Sequence, residues 1–127
     1  MQIKGLSKSF DGRPILKKIN LDLYPGQILG LLGPNGCGKT SLYGCILGRY
    51  KVDNGKIYLN QKDITSLPIH ERAKLGIGYL SQYRSVFSMS TYDNLLAVVQ
   101  LNEKKHDKQR LVVEQLLNEF NLQHLRN

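Results

Sequence analysis

A chain of 127 residues with a hydrophobic fraction of 41% has the length and composition of one globular domain. No run approaches the roughly 18 apolar residues of a transmembrane helix, and the polar start of the chain is unlike a signal peptide, so we expect a cytoplasmic protein. The net charge is +8, but the lysines and arginines are scattered and are not interleaved with aromatic residues, which argues against nucleic acid as a partner.

The first quarter of the chain has the pattern of β structure. Residues 2–10 and 15–23 alternate in polarity around a turn signal at Asp11-Gly12, which predicts an antiparallel hairpin. Pro25-Gly26 then turns the chain into an apolar run at residues 27–32, which we expect to be a buried strand.

The next stretch, GPNGCGKT at residues 33–40, fits the phosphate-binding pattern G-x-x-x-x-G-K-[ST] at every constrained position. The glycines let successive N–H groups turn inward toward phosphate oxygens, and a helix predicted over 41–47 adds its positive N-terminal end. We expect Lys39 to bind the β- and γ-phosphates and the Thr40 hydroxyl to bind Mg²⁺. A chance glycine-rich turn is the alternative, and the flanking strand and helix argue against it. The residues predicted to bind the nucleotide here are Gly33, Pro34, Asn35, Gly36, Cys37, Gly38, Lys39, Thr40 and Ser41.

Turn signals and short apolar runs follow the predicted helix, which we expect to end near Gly48. Asp53-Asn54-Gly55 predicts a turn, residues 56–59 a short strand, and residues 60–63 a further turn. Pro68 is well placed to begin a helix that runs to about residue 75 and ends at Gly76.

The rest of the chain is predicted to be one more buried strand followed by helices. The strand is expected at residues 77–80. Ser90 or Thr91 can cap a helix, and Asp107 can begin another. One face of that last helix is expected to carry the apolar residues Val113, Leu116, Leu117 and Phe120.

With these motifs in order, the whole chain resembles the nucleotide-binding subunit of ABC transporters. Phosphate loops occur in many NTPases, but Gln82 follows the predicted strand at the distance of this family's Q-loop, and residues 86–95 (VFSMSTYDNL) look like the stretch after it. The resemblance implies an α/β fold: a P-loop NTPase core with an incomplete parallel sheet, an antiparallel β subdomain at the N-terminus and the start of a helical subdomain at the C-terminus. It divides the single domain into residues 1–82 and 83–127.

The resemblance also implies the cofactors ATP and Mg²⁺ and the roles of particular residues. Gln82 would bind the metal and orient water, with Lys39 beside it in the catalytic machinery, and Phe10 would stack on adenine, although a core phenylalanine at a strand end is the alternative. The family's Leu-Ser-Gly-Gly signature, its Asp-Glu strand and its switch histidine do not occur in these 127 residues. We therefore expect binding of ATP without turnover. The histidines His70, His106 and His124 are expected on helix surfaces.

Within the family, residues 67–80 and 92–100 are similar to the ATP-binding subunit of lipopolysaccharide export transporters. Branched-chain amino acid importer subunits share a Val-Phe-x-x-Met segment but often have Glu where Gln82 stands, which favours the exporter. A non-transport ABC protein and a catalytically dead nucleotide-binding fragment are further alternatives. The resemblance implies a homodimer, permease subunits that bind near residues 83–99, and attachment to the cytoplasmic face of the inner membrane only through these partners.

Overall fold

The computed structural model describes residues 1–81 and 86–127 of the chain. The chain divides into two units, Met1–Leu80 and Ser81–Asn127. None of the helices in the described ranges combines the length and the apolar character needed to cross a membrane.

The first unit is built on a four-stranded antiparallel sheet with the order β2-β1-β3-β4. The predicted hairpin is confirmed as β1 (Gln2–Phe10) and β2 (Arg13–Asp22), with β2 beginning two residues before the predicted start at residue 15. The turn between the two strands contains Asp11 and Gly12, and both have positive φ. Strand β3 (Asn54–Leu59) pairs with β1, and β4 (Lys62–Asp63) pairs with β3.

Two helices complete this unit and match their predictions closely. Helix α1 (Lys39–Leu47) follows the phosphate loop and has Gly48 as its C-cap, and α2 (Ile69–Lys74) begins directly after Pro68. The core joins α1 to three strands and to the segment after β4. Its buried residues are Ile3, Leu6, Leu16, Leu42, Cys45, Ile57 and Ile64.

The two predicted turns around β3 are corrected by the structure. Asn54 and Gly55 lie within β3, where Asn54 pairs with Ser7 of β1. A Cβ at Gly55 would lie 2.5 Å from the backbone of Gly5, so this glycine permits a close approach of strands and does not form a turn. The second turn is shorter than expected, because residues 60 and 61 alone have left-handed φ and residues 62–63 form β4.

The two buried strands predicted at residues 27–32 and 77–80 are wrong for this chain. Neither segment has strand geometry, and Ile28, Leu32 and Leu80 are 100%, 97% and 94% exposed. A strand is stable only when neighbouring strands pair with its backbone, and no strand of the described residues pairs with either segment. The parallel sheet of the predicted core is therefore not formed by these residues.

The second unit contains α3 (Thr91–Asn102), α4 (His106–Glu119) and a short 3₁₀ helix (Gln123–Leu125). The cap at Ser90 is confirmed, since its Oγ accepts a hydrogen bond from the Asp93 N–H at 3.0 Å.

Helix α4 begins one residue before the predicted Asp107. Val113 and Leu117 are buried against Val99 and Leu116 packs beside them, as expected. Phe120 is exposed because the helix has ended at Glu119 and its next residue leaves the apolar face.

Asp63 of β4 is expected to titrate well below the usual range of an aspartate. Its Oδ1 accepts from the Thr65 hydroxyl at 2.6 Å and the Thr65 N–H at 3.0 Å, and Lys56 Nζ lies 3.0 Å from Oδ2. These bonds, first that of the Thr65 hydroxyl, lower the pKa of Asp63 from 3.8 to about 2. Because the folded-state pKa is the lower one, the stabilisation is present above pH 3.8 and is lost as the pH falls through about 2.

Carbon-13 NMR titration of the Asp63 carboxyl should give a midpoint near 2. Thr65→Val should raise that midpoint more than Lys56→Met does, because the hydroxyl bond is the larger cause. An Asp63 midpoint that Thr65→Val leaves in place would contradict this assignment.

Candidate phosphate-binding site

The last glycine of the phosphate loop, Gly38, packs against the hairpin. Gly38 is the N-cap of α1 and has φ 104° and ψ 4°, a left-handed conformation that side chains other than glycine resist. A Cβ at this position would lie 3.0 Å from Leu16 Cδ2 and 3.2 Å from Ile15 Cγ2. Strand β2 therefore fixes the place where the loop becomes a helix.

The Lys39 ammonium is folded back over the loop. Its Nζ donates to the Gly33 carbonyl at 2.7 Å and to the Pro34 carbonyl at 2.8 Å. It also lies 3.8 Å from Cys37 Sγ, and that thiol is exposed. The carbonyls of Gly33 and Pro34 and the thiol of Cys37 thus lie around the positively charged Lys39 ammonium.

The start of α1 adds further positive potential at the same place. The first N–H groups of a helix have no partner within the helix, and the helix dipole is positive there. No side chain of the described residues caps this end, and the first turn contains no acidic residue. Thr40 is exposed and Ser41 is half-buried in that first turn. A hydroxyl, free N–H groups and an ammonium fit the triphosphate of a nucleotide with its Mg²⁺.

Phe10 is half-buried at the end of β1. Its ring meets the Tyr50 ring edge to face, with centroids 5.1 Å apart and planes at 84°. The Lys8 ammonium lies 5.2 Å from the Phe10 centroid and 2.8 Å from Asp53 Oδ1. The hydrogen bond from Lys8 is the first cause of the lowered pKa of Asp53. The adenine-stacking role of Phe10 stays a prediction.

The other predicted site residues have different outcomes. Gln82 lies outside the described residues, so its roles in metal binding and catalysis stay predictions. The histidines at 70, 106 and 124 are all exposed, as expected.

Two residues that contact α1 were not predicted from the sequence. Arg72 is 2% exposed and donates to carbonyls at the C-terminal end of α1. Tyr50 packs on Gly44, where an added Cβ would lie 2.3 Å from the Tyr50 ring. A glycine inside a helix is unfavourable by about 1 kcal/mol relative to alanine. Gly44 in the predicted helix therefore indicated close packing, but the sequence did not identify Tyr50 as the packing partner. Nothing in the local sequence distinguished Arg72 from a surface arginine.

Comparison with known proteins identifies the family of this chain. A family model described as "ABC transporter" matches residues 16–127. The chain belongs to the ABC transporter family. It is 42% identical over 126 residues to the "Lipopolysaccharide export system ATP-binding protein LptB" of Escherichia coli, covering 98% of this chain and 52% of that protein. It is also 42% identical over 123 residues to a "Probable ABC transporter ATP-binding protein" of Azorhizobium caulinodans, covering 96% of this chain and 44% of the relative.

Solved structures confirm the predicted fold class as that of an ATP-binding cassette. A part of the ABC transporter complex cbiONQ from Clostridium perfringens superposes with a TM-score of 0.83 at 26% identity, covering 99% of this chain and 52% of the other. An ATP-binding cassette of an ABC transporter gives a TM-score of 0.79 at 26% identity, over 98% of this chain and 55% of the other. The chain thus spans about half the length of the relatives it matches.

Gly38→Ala is expected to destabilise the packing of the phosphate loop against β2. The substitution places a Cβ against Leu16 and Ile15 in a strained left-handed backbone, which we expect to reduce the free energy of unfolding by about 1–3 kcal/mol. Urea unfolding followed by circular dichroism measures this difference. Gly78→Ala is the matched control, because no atom lies within 4 Å of an added Cβ there and no positive φ is recorded. Equal losses at the two glycines would show that the contact with β2 does not matter.

Proposed function

We propose that this chain forms the nucleotide-binding part of the ATP-binding subunit of an ABC transporter. The observation that carries the proposal is the convergence of the Lys39 ammonium and the uncapped start of α1 on one glycine loop. Both are positive, and N–H groups of a glycine loop can bind phosphate oxygens between them. The β- and γ-phosphates of ATP are the anion that this arrangement suits.

Different residues of the chain would bind the phosphates, the Mg²⁺ and the adenine of the nucleotide. Lys39 has three N–H donors, of which two bond to loop carbonyls and the third reaches Cys37 Sγ at 3.8 Å. Because a thiol is a weak acceptor, a phosphate oxygen can take its place. The Thr40 hydroxyl is placed to bind Mg²⁺, which neutralises phosphate charge when it is present. Gln82 would complete the metal site, and Phe10 would receive the adenine ring. Hydrolysis needs a base and an oriented water, and we expect residues 1–127 alone to bind ATP without turning it over.

We further propose lipopolysaccharide export as the transport process, with a homodimer at the cytoplasmic face of the inner membrane. The similarity to the LptB protein supports this assignment, together with Gln82 at a position where the branched-chain amino acid importers often have Glu. The relative of equal identity whose name gives no substrate shows that identity alone does not choose among transporters.

A surface in the second unit supports a membrane partner. Phe87 is 65% exposed, and Val86 and Met89 beside it are also exposed. The Asn94 side chain holds this loop, since it accepts from the Phe87 N–H at 2.8 Å and donates to the carbonyls of Phe87 and Met89 at 3.1 Å. An ordered loop that presents apolar side chains suits an apolar segment of a permease.

Lys39→Ala is expected to reduce the affinity of the chain for MgATP by at least about tenfold, because an ammonium bonded to phosphate contributes about 1.5–3 kcal/mol. Thr40→Val, which keeps the shape and removes the hydroxyl, should reduce affinity for MgATP but not for ATP in EDTA. Isothermal titration calorimetry measures both. Lys74→Ala, which removes a lysine from the exposed end of α2, is the matched control. If Lys39→Ala and Lys74→Ala bound MgATP equally, the assignment of the site would be wrong.

Purification of the tagged chain in mild detergent should recover the permease subunits of a lipopolysaccharide exporter. Phe87→Ser should abolish this recovery, because it removes the exposed ring at the centre of the proposed surface. Leu101→Ser is the control, since Leu101 is also exposed, at 83%, but lies outside residues 83–99. Recovery of amino acid importer subunits would favour that alternative, and recovery of ribosomes would favour a non-transport ABC protein.

A further inference from the structure

Tyr50 is fixed to the helix that follows the phosphate loop. Its N–H donates to the Gly44 carbonyl of α1 at 3.1 Å. Its ring lies so close to the same residue that an added Cβ would be 2.3 Å from Cδ2 and 2.4 Å from Cε2. Backbone and ring are therefore both held at one point of α1, five residues after Lys39 along the helix.

The same ring contacts Phe10 at the end of β1. The two centroids are 5.1 Å apart and the planes are nearly perpendicular, at 84°. An edge-to-face pair has a preferred distance and tilt, so it constrains the plane of each ring and not only its position. Tyr50 thus links the plane of Phe10 to the helix whose first turn begins the phosphate site.

We propose that Tyr50 is a positioning residue that orients the Phe10 ring for the adenine of ATP, and that Gly44 is present to give Tyr50 room. This inference depends on the proposed function, since it assumes that ATP binds at residues 33–41 with its base at Phe10. With the phosphates fixed at the loop, the base can reach Phe10 in a narrow range of positions. A ring that is tilted away loses stacking even when it stays nearby.

A purely structural role for Tyr50 gives a different result. Loss of a core residue would disturb α1 and reduce affinity for every ligand of the loop. Loss of a positioning residue would reduce only the part of the affinity that comes from the base. Inorganic tripolyphosphate separates the two roles, because it presents the phosphates of ATP without adenine.

The experiment measures dissociation constants of the 127-residue chain for MgATP and for magnesium tripolyphosphate by calorimetry. Tyr50→Leu should weaken MgATP by about two- to tenfold, the range expected for an aromatic pair, and leave tripolyphosphate unchanged. Gly44→Ala should change the ratio of the two constants in the same direction, because it displaces the ring without removing it. Tyr50→Phe keeps the ring and should bind both ligands like the parent chain. Tyr43→Leu, on the exposed side of α1, is the matched control.

A double variant tests the coupling to Phe10. Phe10→Leu should weaken MgATP alone, and adding Tyr50→Leu to it should weaken MgATP no further. Equal losses for MgATP and tripolyphosphate in Tyr50→Leu would overturn the inference while leaving the phosphate site intact. A parent chain that binds tripolyphosphate as well as MgATP would refute stacking on Phe10. A parent chain that binds neither would refute the proposed function itself.

Discussion

The orientation of α1 depends on one buried guanidinium at its C-terminal end. Arg72 donates to the carbonyls of Cys45 and Ile46 in the last turn of α1, and to those of Thr65 and Leu67 in the segment before α2, all at 2.7–2.8 Å. The last carbonyls of a helix lack hydrogen-bond partners within it and form the negative end of its dipole. A guanidinium at this end donates hydrogen bonds to these carbonyls, and its positive charge interacts favourably with the dipole. Burial lowers the pKa of Arg72, but a guanidinium stays charged in proteins. The helix is thus fixed at the end opposite the phosphate loop.

Packing against the sheet holds the other side and the start of α1. Leu42 and Cys45 pack into the core with β1, β2 and β3, and Gly38 lies against Leu16 at the first turn. Tyr50 fills the space beside Gly44 and meets Phe10. These contacts all lie within Met1–Leu80. The geometry of the phosphate site is therefore set by the sheet and two helices of one unit.

The parts of this arrangement that follow from local rules could be predicted from the sequence. The hairpin, the phosphate loop, the Pro68 start and the Ser90 cap each depend on residues within a few positions of one another. The predictions that were wrong concern residues whose structure depends on partners far away in the sequence. Residues 27–32 have the composition of a strand but no neighbouring strand among the described residues. Gly55 has the local pattern of a turn residue, but it lies in β3, where its missing side chain lets the backbone of Gly5 come close. The bonds from Arg72 to α1 span 26 and 27 residues, and the contact of Tyr50 with Phe10 joins residues about 40 positions apart. Neither could be predicted, because no local pattern reports such contacts.

The absence of a strand at residues 27–32 changes how the phosphate loop is held. Gly38 is anchored by β2, but the segment that enters the loop is largely exposed, with Leu31 alone packed on the core. The bonds from Lys39 to the carbonyls of Gly33 and Pro34 then help to hold the entering half, together with the bond from the Cys37 N–H to the Pro34 carbonyl at 3.4 Å. The same ammonium is the group proposed to bind phosphate. If Lys39 binds ATP as proposed, closure of the loop and binding of the nucleotide depend on the same ammonium. Phosphate that replaces only the Cys37 thiol leaves the bonds to Gly33 and Pro34 in place, so the loop can stay closed when the nucleotide binds.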